Sequence, residues 1–233
     1  MSYQPAKLVL LPGLDGTGRF FARLEQRLGN RTVLQTVRYP ASQPMGYSDL
    51  IGYVRSLIGT EPAVVLGESF SGPIAIRLAA SHPEQIKGLI LAATFVTSPW
   101  PRWMVRAAAL ANPSSVPRAW IDAVLRGPAD DPELAAEIAS ILSRLDPKVR
   151  QARLRAVADV NVLDDLKRVR CPILALHGRS DWLVPKYRLC KAIKAKPGAV
   201  MTLLDGPHML LQRNPAGAAN AIEDFLKSID RQV

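Results

Sequence analysis

The sequence predicts an α/β protein in which a parallel sheet of about six strands is covered by helices on both faces. Apolar runs alternate with helical patterns along most of the chain, and these runs are continuous, as expected for strands that are buried on both sides. The length of 233 residues suits a single domain of this class. The predicted strands span residues 7–11, 32–37, 62–67, 88–93, 171–177 and 199–204.

Helical patterns follow most of these strands. Gly29 and Gly59 come directly after the first two helices, where a glycine is well suited to end a helix. The predicted helices span residues 19–28, 47–58, 70–81, 186–194 and 215–229.

The interval 95–170 interrupts this alternation with a mostly helical pattern that is too long for an ordinary connection. Prolines divide it into short helices, because proline favours helix starts and disrupts helix interiors. We therefore expect a core formed by 1–94 and 171–233, with 95–170 inserted as a helical cap. The apolar residues of this interval either seal the cap against the core or line a pocket; they include Trp100, Trp103, Met104 and Trp120.

The stretch Val64–Gly72 places one serine between a strand and a helix. A sharp turn from strand to helix would hold the Ser69 hydroxyl out at the carboxyl edge of the sheet, in a strained backbone conformation. Such a turn needs small neighbours. Gly67 lies two residues before Ser69, and Ser71 lies two residues after it, where glycine is more usual. Serine is nearly as small as glycine, so Ser69 is a candidate nucleophile; an ordinary turn with a capping serine is the alternative.

An acid and a base are needed to activate a serine, and two later strands supply candidates. Asp181 lies in the loop after strand 171–177, and His208 lies in the loop after strand 199–204. Because the carboxyl ends of parallel strands lie at one edge of a sheet, these loops can converge on Ser69.

Other residues could take these roles. His177 and His82 are better explained as structural or solvated histidines, because one ends a strand and the other leaves a helix. Ser71 is a weaker candidate nucleophile because it lies inside the predicted helix, and Glu68 either tunes the polarity of the site or faces solvent. If Asp181 only caps a helix, the acid could be Asp159, Asp164 or Asp165.

The first strand runs into the glycine-rich segment Pro12–Gly18. With this loop and the chain order Ser69, Asp181, His208, the whole chain resembles a compact α/β-hydrolase, similar to the esterases and carrier-protein methyl esterases of that superfamily. The resemblance implies an α/β-hydrolase fold and an oxyanion hole made by the backbone N–H groups of Leu14 and Phe70. The family commonly has His-Gly where this chain has Pro12–Gly13, but a backbone donor does not depend on its side chain.

The resemblance also implies a function. We expect a serine hydrolase that cleaves carboxylic esters of small to medium acyl groups through an acyl-enzyme on Ser69, with no metal or organic cofactor. The predicted substrate pocket above Ser69 is lined by Trp100, Trp103, Met104 and Trp120. A thioesterase, an acyl-carrier-protein methyl esterase and a non-catalytic ligand-binding homologue are the alternatives.

The formal net charge of +10 is spread along the chain and forms no basic run, which argues against nucleic-acid binding. Five arginines in the cap suggest either an acidic acyl carrier protein as partner or simply solvated helix faces: Arg102, Arg106, Arg150, Arg153 and Arg155.

The two cysteines, Cys171 and Cys190, lack redox or metal-binding spacing, and we expect them to be reduced. The amino terminus shows no secretion signal, and no apolar stretch approaches the ~20 residues that cross a bilayer. These features predict a soluble cytoplasmic protein without a membrane span.

Overall fold

A computed structural model describes residues 7–111 and 131–231. Its sheet has six strands in the order β2-β1-β3-β4-β5-β6, and every neighbouring pair is parallel. The predicted fold class is therefore confirmed. The strands are β1 (Lys7–Leu11), β2 (Leu34–Thr36), β3 (Ala63–Glu68), β4 (Ile86–Ala92), β5 (Ile173–Gly178) and β6 (Ala199–Leu204).

Helices connect these strands, and short 3₁₀ turns cover Arg19–Phe21, Gly29–Arg31 and Ser69–Ser71. Gly29 and Gly59 both have positive φ where a helix ends, as the sequence predicts. The described helices are α1 (Ala22–Leu28), α2 (Tyr47–Ile58), α3 (Gly72–Ser81), α4 (Arg102–Leu110), α5 (Pro132–Arg144), α6 (Pro147–Asp159), α7 (Leu163–Arg168), α8 (Lys186–Lys194), α9 (Leu210–Arg213) and α10 (Pro215–Asp230).

The sheet separates two apolar cores. Val9 and Val65 point to the face covered by α2, α3 and α8, whereas Leu8 and Leu10 point to the face covered by α1 and α10. All four side chains are fully buried. Because both faces of each central strand are covered, successive residues are apolar, which explains the continuous runs in the sequence.

The order of the strands creates a crevice beside β1. From β1 the chain moves outward to β2 and then returns to the other side of β1 as β3. In open α/β sheets, ligands bind at such a reversal, outside the carboxyl ends of the strands. Here Leu11 pairs with Gly67, so the loop after β1 and the turn at Ser69 are neighbours.

Four described helices lie between β4 and β5, and α4 packs against α6. Pro132 and Pro147 occupy the first turns of α5 and α6, as expected from their fixed φ. Helix α7 instead packs on α3 of the core, and its Asp165 lies 3.3 Å from Arg77. Helix α7 therefore belongs to the layer that covers the sheet. The division of the chain into a core and a cap stays a prediction.

Helix α5 is attached to the core at two points beside the His208 loop. Leu134 and Ile138 pack against Met209. At the start of the helix, the carboxylate of Asp131 accepts hydrogen bonds from Arg23 at 2.6 Å and from Arg213 at 3.0 Å. Helix α5 is therefore held beside the His208 loop by apolar packing and by charge.

Several element boundaries differ from the prediction by one to three residues, and two of these differences have a structural reason. The strand predicted at 32–37 is only Leu34–Thr36, because it is an edge strand that pairs with β1 alone. The helix predicted from Phe70 begins at Gly72, because Ser69–Ser71 form a tight 3₁₀ turn first. None of the described helices combines the length and the hydrophobicity that are needed to cross a lipid bilayer.

Candidate active site

Ser69 lies on a strained turn at the end of β3. Its φ is +48°, in the left-handed region that non-glycine residues rarely adopt. Gly67 makes this turn possible, because a Cβ at that position would lie 2.6 Å from the carbonyl oxygen of Ser71. The hydroxyl of Thr94, after β4, donates a hydrogen bond to the carbonyl of Ser69. The sharp strand-to-helix turn expected from the sequence is present.

Ser71, which replaces the more usual glycine, fits the turn with φ of −86°. Its hydroxyl donates to the carbonyl of Pro12, so the Tyr39 hydroxyl, 2.5 Å away, must donate to Ser71. The position that requires glycine is instead Gly72, where a Cβ would overlap the side chain of Thr94. The departure from the family pattern is thus accommodated by hydrogen bonds that a glycine could not make.

The structure brings Ser69, Asp181 and His208 together. The Oγ of Ser69 lies 2.9 Å from Nε2 of His208, and Nδ1 of His208 lies 2.9 Å from Oδ2 of Asp181. A carboxylate only accepts hydrogen bonds, so Nδ1 carries the hydrogen and Nε2 is free to accept the Ser69 proton. The imidazole is only 5% exposed. This arrangement can move a proton from the serine to the histidine.

Asp181 both caps a turn and holds His208. Its Oδ1 accepts hydrogen bonds from the backbone N–H groups of Leu183 at 3.0 Å and Val184 at 2.9 Å, while Oδ2 faces the imidazole. The two roles that the sequence presented as alternatives therefore coexist. The other candidate acids lie in ion pairs elsewhere: Asp159 with Arg102 and Arg106, Asp164 with Lys167, and Asp165 with Arg77 and Arg168.

His208 and Asp181 shift each other's pKa, because they carry opposite charges. Burial alone would lower the pKa of His208, but the charge and hydrogen bond of Asp181 outweigh it and raise that pKa above the ordinary value. Burial alone would raise the pKa of Asp181, but His208 and the backbone N–H of Val184 outweigh it and lower that pKa. The pair therefore favours a charged imidazolium beside a charged carboxylate, which is the state a proton transfer from serine creates.

A second histidine supports the Asp181 turn. His177 is fully buried, and its Nε2 donates to the carbonyl of Val184 at 3.1 Å and lies 3.7 Å from Oδ2 of Asp181. Burial lowers its pKa, which favours the neutral form. The expectation of a structural histidine agrees with this position, but nothing in the pattern Leu176-His177-Gly178 predicted the contact with the acid loop.

The loop after β1 lies directly against the serine, since a Cβ on Gly13 would be 4.0 Å from the Cβ of Ser69. Arg153 of helix α6 holds this loop: Nη1 donates to the carbonyl of Leu14 at 2.7 Å and Nη2 to that of Pro40 at 3.2 Å. The assignment of the N–H groups of Leu14 and Phe70 to an oxyanion hole stays a prediction.

The suggestion that Arg153 contributes to a docking surface is wrong, because its side chain is fully buried. The spacing of residues in the sequence indicates this burial. Arg153 lies four residues after Val149 and four before Val157, and both valines are buried on the inner face of α6. Of the other cap arginines, Arg102 and Arg106 share the carboxylate of Asp159.

The three described residues predicted to line a pocket are all exposed, and Trp100 is 38% exposed. The indole N–H of Trp100 donates to the carbonyl of Leu183 at 2.8 Å, which connects it with the Asp181 loop. Trp103 and Met104 on α4 are 72% and 40% exposed. Trp120 falls outside the described residues. The predicted acyl pocket therefore stays a prediction.

Comparisons with known proteins agree with the observed fold. A family model described as "Alpha/beta hydrolase family" matches residues 8–221. A pimeloyl-[acyl-carrier protein] methyl ester esterase of Chromobacterium violaceum is 27% identical over 78% of this chain and 78% of its own length. A poly(3-hydroxyalkanoate) depolymerase of Ectopseudomonas oleovorans is 27% identical over 82% of this chain and 70% of its own length. The crystal structure of an enol-lactonase from Burkholderia xenovorans LB400 superposes with a TM-score of 0.85 at 18% identity, covering 97% of this chain and 92% of that one.

Proposed function

This chain belongs to the alpha/beta hydrolase family, and on that premise we propose that it is a serine hydrolase that cleaves carboxylic esters of small to medium acyl groups. One observation carries the proposal. The side chains of Ser69, His208 and Asp181 form a continuous chain of two hydrogen bonds, each 2.9 Å long. A serine hydroxyl that donates to a neutral imidazole is activated for attack on a carbonyl carbon.

In the proposed mechanism, His208 takes the Ser69 proton as Ser69 Oγ attacks the ester carbonyl. The resulting imidazolium lies against Asp181, which stabilises its charge. The negative charge that develops on the carbonyl oxygen is held by the backbone N–H groups of Leu14 and Phe70, each worth about 3 kcal/mol in such sites. The imidazolium then protonates the departing alcohol, which leaves an acyl-enzyme on Ser69.

Water completes the cycle. His208, again neutral, removes a proton from a water molecule that attacks the acyl-enzyme, and Ser69 recovers that proton when the acid departs. Asp181 keeps the imidazole in the same tautomer through both halves, because two backbone N–H groups fix its other oxygen. Every proton transfer thus passes through His208.

We further propose that the segment 95–170 forms a cap over this site, except for α7, which packs on α3 of the core. The packing of Ile138 on Met209, the residue after His208, supports this proposal. The hydrogen bond from Trp100 to Leu183 supports a pocket wall beside the acid loop. Apolar side chains at such positions would select acyl groups by length.

The test is hydrolysis of p-nitrophenyl esters of increasing acyl length by the wild-type protein and by Ser69→Ala. We expect a loss of about 10³-fold or more in kcat for Ser69→Ala. Ser56→Ala is the matched control, since Ser56 is exposed on α2 and its hydroxyl bonds only to the carbonyl of Tyr53 among the described contacts. Equal turnover by wild type and Ser69→Ala would contradict the proposal.

A second candidate is the hydrolysis of an ester or thioester that is carried on an acidic acyl carrier protein. The name of the Chromobacterium violaceum relative supports it. So do the exposed residues Arg102 and Arg106, which share the carboxylate of Asp159 and together with it carry one net positive charge. Added salt should slow hydrolysis of a carrier-bound ester far more than that of a free ester, and an equal response would refute this candidate.

A non-catalytic ligand-binding protein is the alternative from another class. It predicts binding without turnover, seen as no release of p-nitrophenol or as one stoichiometric burst. The intact hydrogen-bond chain from Ser69 to Asp181 argues against it.

A further inference from the structure

A buried carboxyl group lies directly before the serine, and the mechanism above gives it no role. Glu68 is the last residue of β3, and it is only 5% exposed. Burying a carboxyl group is unfavourable unless it is hydrogen-bonded. The group must therefore have a partner that holds it beside the active site.

That partner is the side-chain amide of Gln212. Its Nε2 donates to Oε1 of Glu68 at 2.9 Å and to the carbonyl of Phe20 at 3.1 Å. Gln212 is itself 2% exposed and lies on α9, four residues after His208. Phe20 lies in the turn that follows the loop after β1. One amide group therefore joins the segments that carry the nucleophile, the base and the predicted oxyanion hole.

Two hydrogen bonds join the same two segments. Ser69 bonds to His208, and the preceding residue, Glu68, bonds to Gln212, four residues after that histidine. The second hydrogen bond adds a restraint on the position of the hydroxyl relative to the imidazole.

The charge of Glu68 is also coupled to the site. Burial raises its pKa to about 7, the bond from Gln212 opposes that rise, the carboxylate of Asp15 adds to it, and the charge of His208 opposes it. Asp15 lies in the loop after β1 and accepts a hydrogen bond from the backbone N–H of Thr17 at 2.8 Å. The carboxyl group thus interacts with groups on both sides of the crevice.

We propose that the hydrogen bond between Glu68 and Gln212, called the tie below, holds the Ser69 turn in a fixed position relative to the His208 loop. Both residues are therefore positioning residues for the Ser69–His208 hydrogen bond. This inference rests on the proposed function. The tie acts through geometry, so it affects the rate of acylation and leaves ester binding almost unchanged.

Four variants test the tie. Gln212→Met and Glu68→Met remove the hydrogen bond while keeping most of the volume, and Glu68→Gln keeps an acceptor for Gln212. Gln85→Met is the matched control, because the amide of Gln85 also joins two segments, by bonds to the carbonyls of Gly59 and Glu61, away from the site.

We expect Gln212→Met and Glu68→Met each to lower kcat for a p-nitrophenyl ester about 10- to 100-fold, with KM within about threefold of wild type. The double variant should be no slower than the slower single variant, since the two side chains act as one unit. Glu68→Gln and Gln85→Met should stay within about threefold of wild type. The concentration of competent sites in each sample is titrated with a serine-directed phosphonate, and kcat is calculated from that concentration. Unfolded protein therefore does not lower the measured kcat.

The outcomes separate the tie from the proposed function. If Gln212→Met has a lower melting temperature but the wild-type kcat per competent site, the tie is only structural and the inference is overturned. A loss in Glu68→Gln as large as that in Glu68→Met overturns it as well. If the wild-type protein neither turns over esters nor reacts with the phosphonate, the proposed function fails, and this inference fails with it.

Discussion

Replacement of Asp181 by asparagine should abolish most activity while leaving the fold intact. In the native turn, Oδ1 of Asp181 accepts two backbone hydrogen bonds, from Leu183 and Val184, and Oδ2 accepts one from His208. An asparagine side chain has one acceptor and one donor. The two backbone N–H groups require the acceptor, so the amide NH₂ must face His208.

This orientation reverses the tautomer of the imidazole. The Nδ1 of His208 would become the acceptor, and Nε2 would then carry the hydrogen and could not take the proton of Ser69. A wrong tautomer of this kind lowers kcat by about 10⁴-fold, equivalent to about 5.5 kcal/mol of transition-state stabilisation. The backbone hydrogen bonds of the turn survive, so stability should change little.

The assay is kcat for a p-nitrophenyl ester, measured beside the thermal unfolding of the same samples. Asp181→Ala is the comparison, because it removes the acceptor of the two backbone N–H groups and should also lower the free energy of unfolding, by about 1–2 kcal/mol per buried group left unpaired. A loss of less than tenfold in Asp181→Asn would refute the proposed role of the carboxylate.

Three further predictions concern other parts of the site. Asp181 raises the pKa of His208, and only the neutral imidazole accepts a proton. A plot of kcat/KM against pH should therefore rise with a midpoint above the ordinary histidine pKa. A midpoint below the ordinary value would contradict the pairing of His208 with Asp181. Gly72→Ala should lower the free energy of unfolding by about 1–3 kcal/mol, since its Cβ overlaps Thr94; denaturant titration showing no loss would be contrary to the packing. Arg153→Met should leave two carbonyl groups without a donor, lowering stability by about 2 kcal/mol and also kcat, and wild-type values of both would disprove its role in holding the loop.

The sequence predicted the parts of this structure that depend on local pattern. The four central strands are continuous apolar runs because both of their faces are covered, and apolar runs also indicate the two edge strands. The convergence of Ser69, Asp181 and His208 follows from their places after three of the six strands. The short β2 was overextended because apolar pattern does not reveal how many residues of an edge strand find a partner.

Two contacts between distant segments could not be predicted from the sequence. The bond between Glu68 and Gln212 joins residues 144 positions apart, and neither neighbourhood shows a pattern that links them. Arg153 was interpreted as a surface charge because arginine is rarely fully buried, although its spacing between Val149 and Val157 placed it on the apolar face. Both cases concern polar groups that become favourable only when a specific partner is in place.

The identity of the nucleophile is tested most directly by peptide mapping after reaction with a serine-directed phosphonate. Ser69 and Ser71 lie in one short segment, and fragmentation of the labelled peptide distinguishes them. Ser71 donates its proton to the carbonyl of Pro12, whereas Ser69 faces His208. We expect one adduct per chain, on Ser69, and none in Ser69→Ala. An adduct on Ser71, or undiminished labelling of Ser69→Ala, would contradict the assignment of Ser69 as the nucleophile.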